Sequence, residues 1–233
     1  MSNNSPGLSP PIGTQNESSL HKTLKLHYSG SKGVTEILAG SYICDGRTSR
    51  GELIEVQCGS FAPLKEKAET LTLKNKLRII HPIIAQKHIE LYDISGSLLY
   101  RRKSPRKGSA WDLFKALIYA PTLPLRKNVT IELAIIEIVE KRTDDGKGSW
   151  RRRGVSIADR VLGAWRCSAV LSKPKDYYRF VPFKKNEPFT SRKLAEKAGI
   201  NANLARKTLY VLEKMGLIGR TGKQGNSIVY QRV

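Results

Sequence analysis

Residues 187–233 constrain this chain most, because their apolar spacing and glycines admit few arrangements. Thr190 and Ser191 are placed to cap a helix over 192–200 whose apolar stripe is Leu194, Ala195 and Ala198, and Gly199 is placed to stop it in a left-handed turn. A second helix follows Asn201 and buries Leu204, Thr208, Leu209, Val211, Leu212 and Met215 before Gly216 ends it. Leu217 and Ile218, a glycine-rich turn over 222–225 and the alternating run 227–233 then read as a β-hairpin. Two short helices joined by a tight turn form a helix-turn-helix, here with a hairpin appended.

That order of elements resembles a winged helix. The resemblance implies that the second helix enters a major groove by its N-terminal half, so that Asn203, Arg206, Lys207 and Tyr210 face DNA. Asn203 and Arg206 would read base edges and Lys207 a phosphate, with Arg192 on the flanking helix and Arg220 and Lys223 in the wing beside the backbone. The competing reading is a winged helix that binds protein.

The charge points the same way. The chain has 41 Lys and Arg against 20 Asp and Glu, a net +21 over 233 residues. Residues 151–233 carry 19 basic and 5 acidic side chains, or +14, so the excess is concentrated at the winged-helix end and suits a polyanionic partner. No apolar run is long enough for a membrane span, and the polar residues 1–16 read as a disordered lead without the layout of a secretory signal. A cytoplasmic, nucleoid-associated location is expected. Cys44, Cys58 and Cys167 form neither a disulfide framework nor a zinc site, and His21, His27, His81 and His88 lack metal-ligand spacing. There is no phosphate-binding GxxxxGK[ST] run and no dinucleotide fingerprint.

Ahead of this end, the order reads as helix (17–28), two extended runs (34–38 and 41–44), a polar turn (47–51), a strand (52–57), a helix (63–76) and a β-branched strand (77–84), an α/β layout. Alternation sets Leu53, Glu55 and Gln57 on one face of their strand and Ile54 and Val56 on the other. Two acids, Asp45 and Glu55, thus stand at the ends of adjacent strands. Further along, 88–93 reads as another strand, 100–108 as a basic loop holding Arg102 and Lys103, 110–119 as a helix capped by Ser109, and 129–141 as a strand paired with 149–154. Residues 156–162 read as a short helix. Trp150 with Arg151, Arg152 and Arg153 suits phosphate and base stacking as well as an ordinary basic hairpin edge.

Asp45, followed ten residues later by Glu55-Val56-Gln57, resembles the active-site motif of the PD-(D/E)XK nuclease superfamily, with its αβββαβ restriction-endonuclease-like core around it. The resemblance implies that Asp45 and Glu55, with the Val56 carbonyl, hold Mg²⁺ (or Mn²⁺), while a third group orients or deprotonates the attacking water. Gln57 occupies the slot usually held by lysine. It has no charge to offer a phosphate but can orient a water, and Lys65 or Lys67 on the following helix can reach back, with Lys103 a remoter option. Glu36 or Glu17 would supply a further acid. The competing reading makes Asp45 a turn cap and pairs Glu55 with Arg47 or Arg50.

The expected organisation is therefore a disordered lead (1–16), a nuclease-like α/β domain (17–172), a linker (173–186) and a winged helix (187–233). The expected function is a magnesium-dependent DNA endonuclease of restriction, defence or transposition type, acting as a homodimer or in a larger nucleoprotein assembly without a membrane. The alternative is a non-enzymatic DNA-binding regulator or architectural protein on a degenerate nuclease-like scaffold.

Overall fold

The computed structural model describes residues 17–233, so the lead at 1–16 lies outside the described residues. Helix α1 (Ser19–Ser29) starts where the Ser18 hydroxyl accepts the His21 amide, and its buried side is Leu20 and Leu24. Strands β1 (Val34–Ala39) and β2 (Tyr42–Arg47) form a hairpin, and β3 (Leu53–Val56) returns antiparallel to β2. After α2 (Leu64–Leu71), β4 (Leu77–Tyr92) runs parallel to β3, and β6 (Val129–Thr143) lies parallel to β4 on its other side. Strand β5 (Leu98–Lys103) folds back on the far end of β4, and β7 (Ser156–Leu171) closes the sheet beside β6. Among the described residues the order is β1-β2-β3-β4-β6-β7, with β5 on β4, in one mixed seven-stranded sheet.

The period-2 pattern of the central strands sorts side chains into two cores. Odd-numbered Leu53, Leu77, Ile79, Ile131 and Leu133 face α2 and α3 (Leu113–Leu117), while even-numbered Ile54, Val56, Ile80, Ala134, Ile136 and Ile138 face Leu20 and Leu24 of α1. The sheet is thus sandwiched between helical layers, a mixed α/β fold.

Several expected boundaries differ. His88–Asp93 is no separate strand: β4 runs straight through Pro82. This costs the ladder little, because β3 has already ended where Pro82 would donate; Ile80 and Ile84 turn their carbonyls to that same side, accepting from Gln57 and Gly108 at 2.8 Å each. Residues 149–154 hold a 3₁₀ turn (Trp150–Arg152), and β6 pairs instead with 156–171, which is a strand and not a helix. Short polar and small residues there support no helical stripe, whereas the long β6 edge offers a full ladder. Arg102 and Lys103 lie in β5, not in a loop. The Ser109 cap is present, with Ser109 and Asp112 forming a capping box around the 3₁₀ turn Ala110–Asp112 that leads into α3.

The C-terminal end has β8 (Phe189–Thr190), α4 (Ser191–Ala198), α5 (Ala202–Lys214), β9 (Ile218–Gln224) and β10 (Ser227–Arg232), with sheet order β8-β10-β9. Thr190 caps α4 through the Lys193 amide, Asn201 caps α5 through the Leu204 amide, and Gly199 sits at φ 62°. The segment 173–186 joins the two parts, yet it is packed: Tyr177, Phe180, Val181 and Phe183 are buried in one core that runs from the sheet through α3 to α5. Aromatic burial of this size removes the freedom of a tether, so α4 and α5 are held against the sheet domain.

Candidate functional site

The described acids and bases meet at the open end of the β2–β3 seam. Regular pairing of β2 and β3 covers Arg47–Leu53 and Gly46–Ile54. Beyond that the Asp45 carboxylate enters the seam, and its Oδ2 accepts the Val56 amide at 2.7 Å. Its other partners come from α1: His21 Nε2 at 3.2 Å and Lys25 Nζ at 3.5 Å. Lys25 is almost fully buried and is surrounded by acids, with Glu17 at 2.8 Å and Glu36 at 3.1 Å completing its set. Desolvation would lower the Lys25 pKa, but the hydrogen bonds Lys25 donates to Glu17 and Glu36 and the field of Asp45 raise it instead, so the ammonium stays charged. Glu36 reaches this cluster from a left-handed backbone position, φ 55°. An open groove of about 550 Å³ borders it, lined by Glu17, Lys22, Lys25 and Glu36 among others.

Glu55 points to the opposite layer. It lies on the Leu53 face of β3, where Lys67 of α2 forms an ion pair with its Oε1. Lys67 also donates to the Ile43 carbonyl at 2.6 Å, which fixes its head group. The paired Glu55 Oε1 is itself buried, so the carboxylate is desolvated and depends on Lys67 for its compensation. Burial raises the Glu55 carboxyl above the ordinary value against the pull of Lys67, and the charge of Asp45 adds to the rise. For Asp45 burial also acts upward, but His21, the Val56 amide and Lys25 together hold its carboxyl below the ordinary value. Two neighbouring carboxylates are thereby driven apart in acidity by opposite environments. Beside them the Cys44 thiol is pushed up to about 12 by burial and by Glu55, which keeps it protonated.

Of the two candidate lysines, Lys67 is the one brought to Glu55; Lys65 is exposed one turn position away. Gln57 is not brought in: its side-chain amide donates to the Ser60 carbonyl at 2.6 Å, because the chain turns sharply after β3. Its amide hydrogens serve the turn and not the acids. The expected close approach of Asp45 and Glu55 is also not assembled, since one is drawn to α1 and the other to α2. No group of three or more His, Cys, Asp or Glu able to hold a metal forms among the described residues. Lys103 is remote, paired in β5 with His88. His21 and Lys25 were missed from the sequence. Their i, i+4 spacing on α1 was the available signal, but only the packing of α1 over the β2–β3 seam gives it meaning.

A second charged cluster lies on the strands beyond. Glu140 is buried on β6 and gathers Lys87, Arg142 and Arg160 at 2.6–3.2 Å. Burial pushes its carboxyl upward, but these three cations overcome that and hold it at about 2.

At the other end, Asn203 and Arg206 are exposed on the first turns of α5, Lys207 is half-buried and Tyr210 is exposed beneath Lys214, which lies 5.9 Å from its ring centroid. Lys223 is exposed near the hairpin tip. Arg192 is exposed and paired with Glu196 at 2.9 Å. Arg220 is committed elsewhere, forking onto both oxygens of Glu213 at 2.6 and 3.0 Å, so on the β9 side of the hairpin Lys223 and not Arg220 is left without a carboxylate partner among the described residues. Arg102 and Lys103 are exposed on β5.

Comparison with known proteins adds two findings. Residues 18–172 match the family described as "Domain of unknown function (DUF8091)". A protein of Treponema pallidum (strain Nichols), named "Uncharacterized protein", is 24% identical over 222 residues, covering 95% of this chain and 87% of its own length. No solved structure matches the chain. Among the described residues no helix is long and apolar enough to cross a membrane.

Proposed function

The chain belongs to the DUF8091 family through residues 18–172, and from the site those residues build we propose a phosphodiester-cleaving DNA endonuclease of the PD-(D/E)XK kind, delivered by a C-terminal winged helix. The observation that carries this reading is the placement of Asp45 and Glu55 within the succession α1, β1, β2, β3, α2, β4. Asp45 stands at the open β2–β3 seam, Glu55 lies inside β3, and Lys67 of α2 reaches the slot that Gln57 leaves without a cation. The sheet order β1-β2-β3-β4, with β2 antiparallel to β1 and β3 and β3 parallel to β4, supports this reading.

Magnesium binds through one or two carboxylates and keeps most of its waters, so a three-ligand protein cage is not needed. The donor set agrees: Asp45 and Glu55 are hard oxygen donors. Holding one ion between them would require Glu55 to leave Lys67 and turn toward Asp45, where the Val56 carbonyl, on the strand edge of the amide given to Asp45, would join them. When bound, the metal supplies charge stabilisation at the phosphate and acidifies a water. The protein's own part is distinct. Lys67, fixed by the Ile43 carbonyl, holds a positive charge beside Glu55 for the developing negative charge on phosphate. Lys25 keeps Asp45 ionised and holds Glu17 and Glu36 at the rim of the groove. On the winged helix, Asn203, Arg206, Lys207, Tyr210 and Lys223 would contact DNA, with Arg192 at the margin and Arg102 and Lys103 of β5 as further phosphate contacts.

Incubation with supercoiled plasmid and Mg²⁺ or Mn²⁺ tests the reading: the wild type nicks or linearises the plasmid, and Asp45→Ala and Glu55→Ala abolish this. Cleavage that survives both substitutions overturns the site. The second reading, a DNA-binding regulator on a nuclease-like scaffold, draws on the separation of the two acids by Lys25 and Lys67; it is favoured when the wild type binds DNA but cuts no form of it with either metal.

A further inference from the structure

Where β3 stops at Val56, β4 continues, and the uncovered stretch of β4 forms the floor of a cavity of about 430 Å³. That volume is in the range of sites that enclose a small organic ligand. The loop after β5 closes one side, pinned to β4 by Ser104 N to the Lys87 carbonyl and Gly108 N to the Ile84 carbonyl, both 2.8 Å. Glycine is required at 108, because a Cβ there would lie 2.7 Å from the Ile84 carbonyl oxygen. The α3 layer closes the other side with Ala116.

The floor holds a polar group with an unused function. His81 is 5% exposed, lines the cavity and stacks edge-on against Phe61. Its Nδ1 lies 2.6 Å from the Gln57 carbonyl, so Nδ1 carries the proton and donates. Nε2 of the neutral ring is then a bare acceptor, and among the described residues the ring's one hydrogen bond is the one through Nδ1. Asp112, also on the lining, is a second acceptor held in place by the Ser109 amide at 3.1 Å. Around the mouth stand Lys87, Lys115 and Arg106. Lys87 is engaged by Glu140 and Lys115 by Asp112, whereas Arg106 is exposed and has no carboxylate partner among the described residues.

Ile83 and Ala116 as apolar lining, the acceptors His81 and Asp112, and the cations Lys87, Lys115 and Arg106 are complementary to a flat, donor-bearing ring attached to a phosphate. We propose that this cavity receives a single unstacked nucleotide of the nucleic-acid strand, its base inside against His81 and its phosphate at Arg106. The proposal rests on the nucleic-acid reading above and adds to it a base-sized subsite that opens one residue past Gln57, next to the strand that carries Glu55. The His81 acceptor on the floor, with the Asp112 carboxylate beside it on the lining, favours a base with an exocyclic amino group. Cytosine offers such a donor where uracil, of equal size, offers a carbonyl.

Full-length protein with ¹⁵N-labelled histidine is titrated with cytidine 5′-monophosphate, uridine 5′-monophosphate and inorganic phosphate, following the His81 ring nitrogens by NMR. The cytidine nucleotide shifts the Nε2 signal and binds roughly three- to tenfold more tightly than the uridine nucleotide, as one added hydrogen bond to a buried acceptor allows. His81→Asn, whose amide still donates to Gln57, removes that preference, and the surface change Arg106→Ala weakens both nucleotides equally. Equal binding of the two nucleotides, or a response to inorganic phosphate as large as that to the cytidine nucleotide, overturns the proposal. The plasmid assay separates the two ideas. Cleavage dependent on Asp45 without a His81 response removes the subsite alone; a base-selective His81 response without cleavage removes the nuclease reading and leaves the subsite.

Discussion

Lysines do opposite work in the two halves of this molecule. In the α/β half, Lys25 and Lys67 are sequestered, each within reach of named carboxylates, and their charge serves to position Asp45 and Glu55. In the C-terminal half, half-buried Lys207 on α5 and exposed Lys223 on the hairpin have no carboxylate partner among the described residues. A buried ion pair sets geometry and acidity, while an exposed cation is free to exchange its counterions for phosphates. The net +21 therefore overstates the positive charge at the candidate active site and understates its concentration at the other end.

The comparison breaks most visibly at Lys67. We expect Lys67→Ala to reduce plasmid cleavage by about 10²–10³-fold, the scale for removing a preorganised electrostatic group, while Gln57→Ala costs less than about threefold because the Gln57 amide is spent on Ser60. Initial rates on one supercoiled substrate check both; the reverse ranking returns the role to Gln57.

Next in size is a stability effect within the α/β half. Glu140→Gln strands Lys87, Arg142 and Arg160 around a neutral group and is expected to cost about 3–5 kcal/mol at neutral pH, read from urea midpoints. Because the folded carboxyl is held at about 2, its contribution is complete above the unfolded value of about 4.3 and is lost as pH falls from there toward 2. The wild type should lose stability in that window and converge on the variant; parallel pH profiles would show that Glu140 does not carry the effect.

The smallest contrast lies within the C-terminal half itself. Arg206→Ala should weaken DNA binding about tenfold and lower the slope of log affinity against log salt by about 1, whereas Arg220→Ala should leave both nearly unchanged, since Arg220 is already forked onto Glu213. Its loss should cost at most about 1 kcal/mol of stability, as for other surface pairs. Binding isotherms at several salt concentrations separate the two arginines.

Much of this arrangement was legible in residue order. Thr190, Asn201 and Gly199 announce the two C-terminal helices because caps act over a few residues. The alternation Leu53, Ile54, Glu55, Val56 foretold which face Glu55 takes, because side-chain direction along a strand is local. Residues 156–162 read as a helix because nothing within them specifies a strand; the open edge of β6 does. The division of 77–84 from 88–93 fails because β4 continues past Pro82, which the early end of β3 makes harmless.

By itself the sequence determined the element order from α1 to β4, the two helices and hairpin of the C-terminal end, and that end's basic charge. Only the tertiary structure decided that Lys67 and not Lys65 pairs with Glu55, that His21 and Lys25 close over Asp45, that Arg220 is spent on Glu213, and that 173–186 is packed into the core. The physical reason is distance along the chain. Caps and alternation act between near neighbours, whereas the contacts of Lys67 with Ile43 and of Lys25 with Asp45 exist only once helices 1 and 2 have docked on opposite faces of one sheet.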